Sequence, residues 1–369
     1  MTSRERIAAA FDRRVADRVP YGELVIDNRC AEALLGRETP IHNVPMWLDG
    51  LADGNWEGLA AREAQDRIDL ALEAGLDWIS VDQNYPAGFR PRRMRECNRW
   101  RCGNTLLTYD PCTMITYSSA DRPADLDHYA GEVLRAEPPS DIDESTFEVI
   151  RRIRQRLAEM QLDLPLVMRN YTMSAQYHLE LLACYPASAL AHFRQMTAMA
   201  ILIGTRAIAE GISVLGVGGH VGGKATSLLS DAHYRQFILP GVREQIAAYH
   251  ALGARAYIAT GGCIWPIADA FLVESGADAY AGIDTFAGMD LDRLWKRYGH
   301  AVCLIGGVDS VETLCNGAPA AVRAETRAAL DQFADRPGFM LASSNSIHNG
   351  VPPANFLAMV RAYREYSGR

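Results

Sequence analysis

Four apolar runs in the C-terminal third each stop in a cluster of small and polar residues: RAYIATGGC (255–263), ADAYAGID (277–284), AVCLIGGVD (301–309) and GFMLASSNSIH (338–348). With the ends of earlier runs they collect Glu23, Asp82, Asn84, Arg169, Asn170, Tyr171, His220, Asp284, Asp309, Asn345 and His348. Such a set can transfer protons, orient a polar ligand and neutralise one anionic group. His348, in NSIHNG, is the favoured general acid or base, because imidazole titrates near neutral pH; the plainer alternative is a histidine bonding its own loop. Glu23 and Asp82 are the other catalytic candidates. Arg169 ends an apolar strand in MRNYT, where an unpaired guanidinium is costly, so it requires a ligand carboxylate or phosphate, or Glu23 or Asp82. Asn170 and Asn345 offer paired donors and acceptors to the edge of a flat polar ring, or to a helix end. Asn84, Tyr171, His220 and Asp284 complete the expected substrate-binding set.

Metal and nucleotide motifs are incomplete. Cys263, His220 and His348 form an alternative metal set without an established ligand spacing, and a packed thiol is the simpler reading of Cys263. The eight cysteines, Cys112 among them, contain no CxxC pair, so free thiols are expected. In GVGGHVGGKAT (216–226), Val221 stands where a dinucleotide fingerprint needs its third glycine, and Ala225 where a P-loop needs a hydroxyl. A strand-end loop, structural or substrate-binding, is the alternative.

The elements that must position these residues alternate. Helical RERIAAAFDRR precedes a short strand ending at Glu23; a helix near 59–75 leads to LDWISVDQN; then come a helix at 144–160, the strand LPLVMRN, a helical region at 175–210 and the strand ISVLGVGG. Ser230 and Asp290 read as helix caps, and Gly299 as a helix stop. With the four C-terminal runs the count reaches eight strands, the number of an α/β (β/α)8 TIM barrel; a doubly wound sheet is the alternative. Residues 86–140 break the rhythm and suit an insertion after strand two that contains a β-hairpin and covers the barrel mouth.

A chain of 369 residues that is 49% hydrophobic can bury a large core, here read as one domain over 1–369. A net charge of −8 without a basic stripe argues against nucleic acid. The opening MTSRERIAAAFDRR has no long apolar core and no segment has the length to span a bilayer, so a cytoplasmic protein acting on small molecules is expected.

RERIAAAFDRRVADRVPYGE, SDAHYRQFILPGVREQIAAYHALGARAYI, GGVDSVETL and SNSIHNGVPPANFLAMV, in that order, resemble the uroporphyrinogen decarboxylase superfamily, which includes cobalamin-linked and zinc-dependent methyltransferases. The resemblance implies a single barrel, often a homodimer, with its cleft at the C-terminal strand ends. Asp82 matches the aspartate that binds pyrrole N–H groups in the decarboxylases. Their arginine-rich segment reads YGELVIDN here, with Glu23 and Asp27, so a polyanionic tetrapyrrole would meet negative charge. The zinc ligands of the methyltransferase branch correspond to Ala259, Gly261 and Asn345, so that site is missing. The resemblance therefore lies nearer the methyltransferase-like members. The expected activity is methyl transfer from a small methylated compound or pterin, with corrinoid (cobalamin) or tetrahydrofolate as co-substrate and a possible corrinoid-protein partner. The alternative is a cofactor-independent decarboxylase or lyase, in which Arg169 anchors a carboxylate and Asp82 stabilises positive charge.

Overall fold

The computed structural model describes residues 1–111, 115–119, 123–172 and 177–368; Cys112 and parts of the expected insertion and of the 175–210 helical region lie outside them. Eleven strands are present among the described residues. Seven form one parallel sheet in the order β1 (Ile79–Val81), β6 (Leu166–Arg169), β7 (Ile212–Gly218), β8 (Arg255–Ala259), β9 (Ala279–Ala281), β10 (Cys303–Val308) and β11 (Phe339–Ser343). Each pairs with the next in chain order, as right-handed β–α–β connections produce. The segment after Pro20 supplies no long strand but engages both sheet edges: Tyr21 bridges in parallel to Leu341 and Ile26 to Ile347, while Asp77 N–H donates to Tyr21 O.

Side chains alternate across the strands and separate two cores. Leu24, Trp78, Val167, Val214, Tyr257, Ala259, Ala279, Ala281, Cys303, Ile305, Met340 and Ala342 pack with one another on the concave face. Helix Ser3–Phe11 adds Ile7, Ala10 and Phe11 to that cluster; its capping box at Thr2 and Glu5 fixes where it starts. The opposite faces, including Tyr21, Ile79, Met168, Ile258 and Leu341, pack against the surrounding helices.

The expected caps are present: the Ser230 side chain accepts from His233 N–H and the Asp290 side chain from Arg293 N–H. The long helical region is two helices, Tyr177–Cys184 and Pro186–Ala209, broken where Pro186 begins the second. The described residues between 92 and 118 form more than a hairpin. β2 (Arg92–Arg93), β3 (Arg99–Cys102), β4 (Thr105–Asp110) and β5 (Ile115–Ser118) make an antiparallel sheet. It docks on helix Val44–Ala52, where Trp100 Nε1 donates to Asp49 and Arg93 pairs with Asp49 and Asp53. Among the described residues no helix is long and apolar enough to cross a membrane, and the described cysteines are free.

Candidate active site

Trp78 faces the concave core, so Ser80 and Asp82 share its side of β1 and its continuation; by the same alternation Arg169 follows Val167 inward. The two meet at the C-terminal strand ends. Arg169 Nε and Nη2 donate to the Asp82 carboxylate at 3.1 and 2.7 Å, a paired, charge-assisted contact. Their side chains are 33% and 28% exposed. The partner the sequence demanded for Arg169 is thus Asp82.

Behind the pair lies a residue that strand-end reasoning missed. His42 occupies a loop with φ of 50°, sparsely populated for a side-chain-bearing residue. Its Nε2 is 3.0 Å from Asp82 Oδ2 and its Nδ1 3.2 Å from Asp27 Oδ1. Asp27 also accepts from Asn349 N–H, which joins the loop after β11 to the chain Asp27–His42–Asp82–Arg169. Burial favours the neutral ring, but the two carboxylates outweigh it and raise the His42 pKa, with Arg67 opposing them. A protonated ring satisfies both acceptors at once. Burial also penalises the Asp82 carboxylate, yet Arg169 and His42 hold it well below the usual carboxylate range. The only sequence signal for this arrangement was Asp27 itself, in the segment without arginines.

Glu23 takes a different position. Gly22 and Leu24 face the concave core, and Glu23 points the other way, buried between sheet and helices. Its carboxylate accepts from Ser343 N–H at 2.9 Å and Ser343 Oγ at 2.7 Å. Burial pushes its pKa up to about 7, against the opposing Ser343 bonds. Glu23 and His42 line a common cavity of about 20 Å³, the space of a single water. Glu23 thus lies behind the sheet, on the side away from the concave core, and makes no hydrogen bond to Asp82 or Arg169.

Other candidates are committed to the fold. Asn84 donates to Tyr85 O and Ser145 O and accepts from Val149 N–H, anchoring the turn into helix Glu148–Glu159. Asn170 donates to Ala200 O and Tyr249 Oη in the outer layer. Neither amide is directed at the Arg169–Asp82 pair, because each is already satisfied by the helices. Asp284 accepts from Gly262 and Ala287 N–H, and Asp309 caps the helical turn Ser310–Cys315 and accepts from Thr285 Oγ1. His348 is exposed; its Nδ1 accepts Gly350 N–H and its Nε2 lies 3.4 Å from Cys315 Sγ. It makes no hydrogen bond to Glu23, Asp82 or Arg169, so its expected role as the central acid or base is not supported by a contact. Tyr171 does join the inner set, its hydroxyl 3.3 Å from that of Tyr257.

His220 is exposed in the glycine-rich loop, whose N–H groups at Val221 and Gly222 donate to Thr260 Oγ1. A Cβ on Gly222 would stand 2.1 Å from Gly261 O, and one on Gly262 2.7 Å from the Gly222 carbonyl carbon. These glycines let two backbone loops touch; this packing accounts for the nucleotide-like spelling. Cys263 is buried beside that clasp, and its N–H donates to Gly223 O. Among the described residues no three His, Cys, Asp or Glu side chains are grouped to hold a metal. Asn345 Nδ2 lies 3.2 Å from where a Gly261 Cβ would be, so two of the three positions that the resemblance matches to zinc ligands adjoin, but Ala259, Gly261 and Asn345 offer no thiolate or imidazole.

Parallel strands with titratable groups gathered at their carboxyl ends define an α/β protein of enzyme architecture. The chain belongs to the uroporphyrinogen decarboxylase (URO-D) family, whose model matches residues 132–366. It is 30% identical over 145 residues to uroporphyrinogen decarboxylase of Paraburkholderia phytofirmans, covering 38% of this chain and 37% of that one. The corresponding enzyme of Chlorobaculum tepidum is 27% identical over 146 residues, covering 39% and 40%. The matches thus span well under half the length of these relatives. A methyltransferase from Methanosarcina mazei shares the fold with a TM-score of 0.66 at 18% identity, over 100% of this chain and 99% of that one.

Proposed function

We propose that the protein is a methyltransferase that moves a methyl group between a small methylated substrate or pterin and a corrinoid. The observation that carries this reading is the chain Asp27–His42–Asp82–Arg169. Where the decarboxylase resemblance calls for a wall of arginines after strand one, the segment instead supplies Asp27, and that carboxylate is used to charge His42. Arg169 offers one open guanidinium edge, and YGELVIDN adds none of the several cations a polyacidic tetrapyrrole requires. A heteroatom losing its methyl group develops negative charge, which a proton delivered at the strand ends would neutralise. The proton on His42 is held against Asp82, and Glu23 stores a second one behind the sheet. The full-length fold match to a methyltransferase supports the same reading. In it the segment 20–26 is the eighth stave of a (β/α)8 barrel, and the four-stranded sheet covers the mouth. The corrinoid is presented by a partner protein or tetrahydrofolate serves as co-substrate, and the protein is a cytoplasmic homodimer. The positions that hold zinc in the resembled methyltransferases carry Ala259, Gly261 and Asn345 here, none of them a thiolate or imidazole.

Purified protein incubated anaerobically with cob(I)alamin and a panel of methoxyaromatics, methylamines, methyl thioethers and methyltetrahydrofolate is expected to produce the methylcobalamin band. His42→Gln is expected to slow that reaction on the order of 100-fold while the fold is kept. A flat spectrum beside an active control enzyme, both with free cob(I)alamin and with a corrinoid protein added, would overturn the proposal.

A second reading, a decarboxylase or related lyase of a small acid, draws on Asp82 being held ionised at the mouth beside a guanidinium. Release of carbon dioxide from small carboxylic acids without methyl transfer would select it.

A further inference from the structure

We infer that the methyl donor is an organic acid whose carboxylate binds the outer edge of the Arg169 guanidinium. This rests on the methyl-transfer reading and names its substrate class.

A guanidinium is flat and carries two usable edges. Arg169 spends the Nε–Nη2 edge on Asp82. Its Nη1 has no hydrogen-bond partner among the described residues, and the side chain is a third exposed, at 33%. An arginine held on one side and open on the other is built to accept a second oxyanion in a fixed plane. Asp82 is itself held in place by His42, and His42 by Asp27, so the open edge is oriented through three successive contacts.

The surroundings suit a carboxylate. Tyr257 is fully buried and Tyr171 half-buried, and their hydroxyls are 3.3 Å apart; with Tyr257 donating to Tyr171, the Tyr171 O–H is left for a ligand. Burial raises the pKa of both hydroxyls, with the Arg169 charge opposing it. Gly216 lets both rings lie against the strand: a Cβ there would be 2.5 Å from Tyr257 Oη and 2.8 Å from the Tyr171 ring. Asp284 and Asp309, the other strand-end carboxylates, accept local N–H or hydroxyl donors, which offsets part of their repulsion of an incoming anion. The carboxylate could come from a methylated acid or from the glutamate tail of a folate, and the two are separable by experiment.

Isothermal titration of the full chain with benzoate and benzamide reads the seat without requiring turnover. Benzoate is expected to bind at least tenfold more tightly; Arg169→Gln should erase the difference and Arg169→Lys, which keeps the charge but loses the fork, should retain only part of it. Equal binding of acid and amide, or an acid preference that survives in a folded Arg169→Gln variant, would overturn the inference. Should Arg169→Gln fail to fold, Tyr171→Phe serves instead: it is expected to weaken benzoate and leave benzamide unchanged, and no change in either would count against the seat. Methylcobalamin formation then separates the sources, comparing 4-methoxybenzoate with 4-methoxybenzamide, and 5-methyltetrahydrofolate with a 5-methyltetrahydropterin lacking the glutamate tail. Turnover of neutral donors as fast as of acids overturns the seat and leaves methyl transfer standing. Acid-selective binding with no methylcobalamin from any donor overturns methyl transfer and leaves the seat.

Discussion

His42 and Glu23 both titrate above their ordinary values, His42 because, against its burial, two carboxylates favour its charged form and Glu23 because burial disfavours its charged form, so both make stability depend on pH in the same direction. His42 is charged by Asp27 and Asp82, so its raised folded pKa contributes stability that is fully present below its ordinary value of 6.5 and is lost as pH rises through the folded one. NMR titration of the imidazole should place its midpoint above 6.5, and Asp82→Asn should lower it by removing one of the two flanking charges. An unchanged midpoint would mean that Asp82 does not hold the proton. Glu23 starts at 4.5 and is raised to about 7 by burial, so between those values the unfolded chain releases a proton that the folded one keeps. Folding therefore weakens from pH 5 to pH 8 through this group. Glu23→Gln, which cannot ionise but still offers Ser343 an acceptor, is expected to gain in melting temperature relative to the parent as pH rises through that window. A gap that stays constant would remove Glu23 from the titrating set.

Loops after β7 and β8 act as one piece. Thr260 Oγ1 takes two N–H donors from Val221 and Gly222, and Gly223 bridges to Cys263, so the strand ends are clasped backbone to backbone. The alternative of a phosphate cradle would leave those N–H groups free, and here they are occupied. Gly222→Ala forces a methyl group to 2.1 Å from Gly261 O, and the loops must part. The expected loss is about 1–3 kcal/mol by chemical denaturation, with local exposure of Cys263 to thiol reagents. A variant as stable as the parent, with Cys263 still protected, would show that the clasp is not required.

Asp77 ties the far end of the sheet together. Fully buried just before β1, it accepts from Arg6, Arg18, Ser3 Oγ, Tyr21 N–H and Tyr363 Oη, gathering the N-terminal helix, the segment at both sheet edges and the last helix. The residues Asp-Arg-Val-Pro that carry the family resemblance thus have a structural use: Asp17 pairs with Arg6 and Arg18 with Asp77. Asp77→Ala removes the buried carboxylate that Arg6 and Arg18 share, although Arg6 keeps Asp17, and should cost about 3–5 kcal/mol, seen as a large fall in melting temperature. The N-terminal helix should become the first segment to lose amide-exchange protection; intact protection there would contradict this assignment.

Apolar runs, caps and the strand-end position of Asp82, Arg169 and Tyr171 were legible in the chain, because alternation and capping act over a few residues and leave local marks. The spelling YGELVIDN also excluded an arginine wall without any coordinates. The partnerships were not legible. His42 meets Asp82 across 40 residues and Arg169 meets Asp82 across 87, and no local pattern records which loop turns inward. Glu23 shows the same limit at single-residue resolution: a strand of that length is apolar on both faces, so its sequence does not mark which side meets helices and which meets the mouth. Asn84 and Asn170 read as ligand-binding amides until the helices that consume their donors were in place. Composition and periodicity determined the layers and the end of the sheet where chemistry could occur. Packing decided which of the polar groups there were left with an unpaired edge, since a side chain's free donors are known only once its neighbours have taken theirs.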